Sequence, residues 1–211
     1  MTLRLDRTAG RLWRGDGRCF EPRTRAWEEA AGGPRGEPVS VLDAVTWLQR
    51  DSGERCRVPV GVIGARAAGA ARLAAAERLG ELLAGLGLTV LCGGRQGVME
   101  AVCRGVERAG GLSVGLLPEG DPAAANRHVS VPIATGIGVA RNAIIARASL
   151  ALVAVGGGTG TIAEAAFGLQ FGVPVLGLLD APALDGVRAC PDPETAVGQV
   201  ARVVLALPLD D

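Results

Sequence analysis

The feature that most constrains this chain is the regular alternation that begins at Val58. The segments "VPVGVIG" (58–64), "LTVLCGG" (88–94), "LSVGLLP" (112–118), "LALVAVGG" (150–157) and "VPVLGLL" (173–179) read as strands, with a shorter extended piece at "HVSVPI" (128–133). Between and after them, residues 70–87, 97–111, 138–149, 160–172 and 193–207 carry helical patterns. The strands are apolar along their whole length rather than alternately. Such strands are covered by helices on both faces, so the pattern predicts a parallel, doubly wound, Rossmann-like α/β sheet. Right-handed crossovers leave few topologies, and ligands of such sheets bind beyond the carboxyl ends of the strands, where strand order reverses.

The text before this alternation is different. Residues 1–57 hold all three tryptophans and little continuous apolar sequence. Turn signals at Ala9-Gly10 and Asp16-Gly17 predict short hairpins, "AGGPRGEP" (31–38) reads as a linker, and Ser40 is placed to cap a helix over "VLDAVTWLQRD". Two domains are therefore expected: an appendage over 1–57 and a Rossmann-like domain over 58–211. Trp13, Trp27 and Trp47 read as a packing cluster of the appendage. The Ala/Leu-rich helix over 70–86 carries more apolar surface than one domain needs, which predicts a homo-oligomer.

Glycine-rich turns fall where strands give way to helices: "GARAAG" (64–69), "GGRQG" (93–97) and "GGGTGT" (156–161). Glycine costs backbone entropy, so repeated glycine at such turns needs a reason. A tight turn with positive φ is one. The other is anion binding, since the free N–H groups and positive dipole end of a helix start attract a phosphate that a Cβ would obstruct. On this basis Gly64, Arg66, Gly93, Gly94, Arg95, Gly97, Gly157, Gly158, Thr159, Gly160 and Thr161 are the candidate ligand-binding residues. Arg66 and Arg95 can grip phosphate through a guanidinium or serve as plain surface arginines. The first strand is not followed by G-x-G-x-x-G, which disfavours a full dinucleotide site. Glu164 stands about one turn inside the helix opened by the third loop. It either complements the helix dipole or faces the sugar of a nucleotide whose phosphate sits on the loop.

Composition excludes several functions. Lysine is absent, so there is no Walker-type phosphate lysine and no Schiff-base chemistry. The formal net charge is zero, which gives no bulk attraction to nucleic acid or an anionic membrane. The five cysteines are scattered without C-x-x-C, and His128 is the single histidine, so no metal site is expected. Cys92 and Cys103 read as small core residues, His128 as a loop residue and Glu100 as a first-turn helix acid. No signal-peptide or membrane-spanning run is visible, and the expected location is the reducing cytoplasm.

The segments "GGGTGTIAE" (156–164), "GGRQGVMEAV" (93–102) and "GIGVARN" (136–142) together resemble the Rossmann-like LOG superfamily, once labelled lysine decarboxylase-like. The resemblance covers about residues 58–180 and is nearer to its molybdenum cofactor carrier branch. The enzymes of that superfamily carry P-G-G-x-G-T-x-x-E. Gly157, Gly158, Gly160, Thr161 and Glu164 match it, with Gly156 in place of the proline. The resemblance implies that Arg141 and Glu164 would form the catalytic couple if the chain cleaves the N-glycosidic bond of a nucleoside 5′-monophosphate. Two positions depart from the enzymes, which have Arg-Lys where this chain has Arg141-Asn142, and a second acid where it has Ala163. The implied function is a binding or carrier protein for a phosphorylated heterocycle, a nucleotide or the molybdenum pterin cofactor as cargo, with no resident cofactor required. A phosphoribohydrolase and a nucleotide-sensing module acting through the appendage are the alternatives.

Overall fold

The structure, a computed structural model, describes residues 2–210. The chain divides into two compact units. One takes the first 57 residues and the chain from Gly198 onward, and the other takes Val58–Val197.

In the first unit, β1 (Leu3–Asp6), β2 (Arg11–Arg14), β3 (Arg18–Glu21), β4 (Ala26–Glu29) and β5 (Glu37–Val39) form an antiparallel sheet in the order β4-β3-β2-β1-β5. The turn signals fall where expected, with Gly10 and Gly17 at positive φ between successive strands. The predicted linker ends in a strand instead: β5 pairs with β1, and Gly36 sits where any Cβ would overlap the Leu5 carbonyl. Helix α1 (Val41–Arg50) is capped by Ser40, whose side chain accepts from the Asp43 N–H at 3.0 Å. Trp13 and Trp47 are buried in this unit, and Trp27 packs on Phe20 with ring centroids 5.1 Å apart. The chain beyond Gly198 groups here rather than with the Rossmann-like domain. Arg25 donates to the carbonyls of Val203 and Val204, and Trp27 Nε1 to that of Leu205 at 2.7 Å.

The second unit carries β6 (Val60–Gly64), α2 (Ala70–Gly85), β7 (Val90–Cys92), α3 (Val98–Arg108), β8 (Ser113–Leu117), β9 (Val131–Ala134), α4 (Arg141–Ala148), β10 (Leu152–Val155), α5 (Thr159–Gln170), β11 (Val175–Leu178), β12 (Val187–Ala189) and the start of α6 (Pro193–Val204). The seven strands are parallel, in the order β12-β11-β10-β6-β7-β8-β9. The chain runs outward from β6 to β9, returns to lay β10 beside β6, and continues to the opposite edge. Strand order therefore reverses between β6 and β10, with Gly64 level with Val155. The core is built on this sheet from Ile63, Leu91, Leu116, Ile145, Leu152, Ala154, Ala165 and Val175.

Helix α2 buries Ala76, Leu79, Gly80, Leu83 and Ala84, while Leu73 and Leu82 stay half-buried. It meets α3 so closely that a Cβ on Gly80 would overlap the Val102 carbonyl, and one on Gly105 the Glu77 carbonyl. Large exposed apolar side chains lie elsewhere, at Val131, Ile133, Ile137, Val139, Ile144 and Ile162. Cys92 and Cys103 are buried with their sulfurs 3.5 Å apart, as core residues. His128 does find an acid, Glu107, at 2.7 Å. Among the described residues no helix is long and apolar enough to cross a membrane.

Candidate functional site

A cleft of about 420 Å³ opens at the carboxyl ends of β6 and β10, within the range of small-ligand pockets. Its lining includes Gly64, Arg66, Arg95, Arg141, Gly158, Thr159, Gly160, Thr161 and Glu164 from the sequence-predicted set. It also includes Ala65, Met99, Pro118, Val139 and Asn142, which the glycine and charge patterns did not single out as ligand contacts. Gly93, Gly94, Gly97 and Gly157 are not on this wall; they shape the turns behind it.

Those four glycines, and Gly64, have reasons internal to the protein. A Cβ on Gly64 would stand 2.5 Å from Val98 Cγ1. Gly97 has φ +73°, and a Cβ there would overlap the Arg66 carbonyl oxygen. This contact locks the β7–α3 turn onto the β6–α2 turn, as does the hydrogen bond from Val98 N–H to the Ala65 carbonyl at 3.1 Å. Gly93 leaves room for the Arg141 guanidinium, and a Cβ on Gly94 would meet Leu117 at 2.8 Å. The side chain of buried Asn126 secures the same turn by donating to the carbonyls of Gly94 at 3.1 Å and Arg95 at 2.9 Å. Gly157 lies against Pro182, 3.2 Å from where its Cβ would be.

Gly158 and Gly160 differ. Each has only one heavy atom near an added Cβ, at 3.9 Å, and neither adopts a positive φ. Packing and conformation would both accept a side chain there. These glycines leave bare backbone facing the cleft at the start of α5, whose N-cap, Gly158, offers no side-chain cap. The first backbone bond across this turn runs from Ile162 N–H to the Gly158 carbonyl at 2.9 Å. The N–H groups of Thr159, Gly160 and Thr161 thus precede any intrahelical acceptor and carry the positive end of the helix dipole.

The floor of the cleft is an ion pair. Arg141, the first residue of α4, donates from Nη1 to Glu164 Oε1 at 3.0 Å, and their side chains are only 9 % and 8 % exposed. The same Nη1 donates to Asn142 Oδ1 at 2.5 Å, and Nη2 reaches the Gly93 carbonyl at 3.5 Å. Burial pushes the Glu164 carboxyl up to about 7, against the opposing pull of the Arg141 charge. Burial also lowers the Arg141 guanidinium below its ordinary value. The site thus holds a carboxyl able to exchange a proton near neutrality, one turn below a run of free N–H groups.

Of the other arginines on the cleft, Arg95 contacts Glu119 as an ion pair, and its guanidinium is lowered by burial and by the Arg66 and Arg141 charges. Arg66 is exposed and has no carboxylate partner among the described residues. Glu119 had no sequence signal beyond its place just past the end of β8. Among the described residues no three His, Cys, Asp or Glu side chains cluster as a metal site.

A reversed-order parallel sheet with glycine loops and a buried Arg–Glu pair at the reversal defines a Rossmann-like α/β protein. Residues 57–203 match the SLOG cluster4 family, and the chain belongs to that family. An uncharacterized protein of Archaeoglobus fulgidus is 42 % identical over 138 residues, covering 65 % of this chain and 91 % of that one. Among solved structures, the molybdenum cofactor binding protein from Rippkaea orientalis is 34 % identical with a TM-score of 0.67, over 70 % of this chain and 98 % of that one. The molybdenum cofactor carrier protein from Chlamydomonas reinhardtii is 36 % identical with a TM-score of 0.64, over 70 % of this chain and 99 % of that one.

Proposed function

We propose that this chain binds and carries a phosphorylated heterocycle, a nucleotide or the molybdenum pterin cofactor, with its phosphate on Gly158–Thr161. The observation that carries this reading is the bare backbone of Gly158 and Gly160, which nothing in the protein's own packing or φ requires. The similarity to a molybdenum cofactor binding protein and a molybdenum cofactor carrier protein supports it. The residues fit such a cargo at its phosphate: uncapped N–H groups, with Arg66 and Arg95 on the rim and Gly64, Gly93, Gly94, Gly97 and Gly157 shaping the loops. No side-chain metal cluster is needed, because the metal of a pterin cargo travels with its own ligands. No resident cofactor, nucleic acid or membrane enters this function, which is exercised in the cytoplasm. A second copy would cover the exposed Val131, Ile133 and Ile144 rather than the α2 face, a homo-oligomer that light scattering would reveal. Titration calorimetry with AMP and with the isolated pterin cofactor tests the carrier reading. Saturable binding of one of them, competed by inorganic phosphate, is expected; no binding of either would overturn it.

The Arg141–Glu164 pair favours a second reading, a phosphoribohydrolase of nucleoside 5′-monophosphates. Cleaving the N-glycosidic bond builds positive charge on the ribose, which a close carboxylate stabilises. A single carboxylate would also have to manage the attacking water, a task that glycosidases give to a second acid. Ala163 cannot supply one, so release of adenine from AMP is expected to be slow or absent. Turnover of order 1 per second, abolished in Glu164→Ala, would replace the carrier reading with this one.

A further inference from the structure

The least explained group on the cleft wall is Asn142. Its amide is oriented by the protein: a guanidinium is only a donor, so the atom that receives Arg141 Nη1 at 2.5 Å is the amide oxygen. The other end, Nδ2, is then directed at the first turn of α5. It stands 3.9 Å from where a Cβ on Gly160 would be, beside the bare backbone of the glycine turn. A ligand oxygen that approaches Gly160 meets two kinds of neutral donor, backbone N–H and this amide.

The charges around the cleft make that neutral donor informative. Arg141 is paired with Glu164, Arg95 with Glu119, and Arg72 with Asp180 at 3.3 Å. Of the three arginines on the cleft, two are thus compensated before any anion arrives and, among the described residues, only the exposed Arg66 keeps a free charge at the rim, so oriented dipoles share the recognition with that one cation.

We infer that Asn142 is a ligand-contacting, specificity-determining residue that donates its Nδ2 hydrogen to a phosphate oxygen seated over Gly160. The inference rests on the phosphate site proposed above and names a further donor within it. Arg141 has a part here as a positioning residue, holding the amide in the one orientation that turns a donor toward the anion. A phosphate monoester satisfies the arrangement, because its oxygens are acceptors only when fully ionised. A ligand presenting a hydroxyl or amino donor at that point would not.

Two variants separate this role from a merely structural one. Asn142→Asp keeps an acceptor for Arg141 at the same place and removes the donor; Asn142→Leu removes both. The experiment is titration of the parent protein and each variant with AMP and with inorganic phosphate, at ordinary salt and at about 0.5 M salt, where screening weakens a simple charge repulsion. The expected result is roughly a ten-fold or greater loss of AMP affinity in both variants, persisting at high salt. If Asn142→Asp matches the parent at high salt while Asn142→Leu does not, Asn142 serves only to hold Arg141 and the inference is overturned. If both variants match the parent, it is overturned as well. A parent protein that binds neither probe removes the phosphate site itself, and this inference with it; a binding parent with unaffected variants removes this inference alone.

Discussion

In the turn between β7 and α3, the protein itself demands glycine: Gly97 has φ +73° with the Arg66 carbonyl against it, and Gly93 makes way for the Arg141 guanidinium. In the turn between β10 and α5, Gly158 and Gly160 face open space with ordinary backbone conformations. Both turns read as glycine-rich phosphate loops in the sequence. In the second, Gly156 at φ +60° and Gly157 against Pro182 are also packed, and only Gly158 and Gly160 leave backbone uncovered; the first turn is packed throughout, with Gly93 making room for Arg141. Two similar strings of glycine therefore differ in cause: internal packing accounts for the first, while Gly158 and Gly160 of the second have no such reason and are, as we propose, left bare for a ligand.

The comparison breaks most visibly if Gly97 tolerates a side chain. Gly97→Ala must move either its own strained backbone or the β6–α2 turn. Sparsely allowed φ/ψ and overpacking each cost about 1–3 kcal/mol. A loss of about 2–6 kcal/mol is expected in urea unfolding of the full chain. A parent-like midpoint would show that the β7–α3 turn is no more constrained than the other.

The two turns are joined by Arg141, which reaches the Gly93 carbonyl on one side and Glu164 of α5 on the other. Titration of Glu164 sharpens the comparison by reporting on that link. Burial raises this carboxyl from 4.5 to about 7. The folded chain then holds a proton that the unfolded chain has released, so stability falls as pH rises through this window. The contribution is fully present below about 4.5 and lost as pH passes 7, a difference of about 3 kcal/mol from the shift. Glu164→Gln should remove this slope between pH 4.5 and 7 in urea unfolding followed across that range. An unchanged slope would mean that other groups set it.

Much of this architecture was legible because its physics is local. Fully apolar strands alternating with helices dictate a parallel sheet, and glycine turns mark its carboxyl edge. Other features carry no local signal. Strand β12 is three residues, Val187–Ala189, at a sheet edge and only partly buried. Strand β5 carries Pro38, which an edge strand tolerates but which reads as loop. At the cleft, the resemblance points to Arg141 and Glu164, and the structure pairs them there. Nothing points to Glu119, Asn126 and Val139, because their relevance depends on which strand ends lie side by side. Nor could the sequence separate the filled glycines from the bare ones, since that distinction is a matter of distance to neighbours.

The smallest stability effect tests the bare turn most sharply. Gly160 lies in the first turn of α5 with no positive φ and only the Asn142 amide near an added Cβ, at 3.9 Å. Alanine at such a place restricts the unfolded chain and suits a helix, so Gly160→Ala should raise stability by about 0.4–1 kcal/mol. Its methyl group would nevertheless stand in the cleft, between the free N–H groups and an arriving phosphate. A gain in unfolding midpoint accompanied by roughly a ten-fold loss of AMP affinity is the expected pair of results. Each half has its own way to fail. A loss of stability would show that this turn is packed in a way its distances do not suggest. Unchanged affinity would show that the bare backbone is not where the anion rests, and the contrast with the β7–α3 turn would then have no functional meaning.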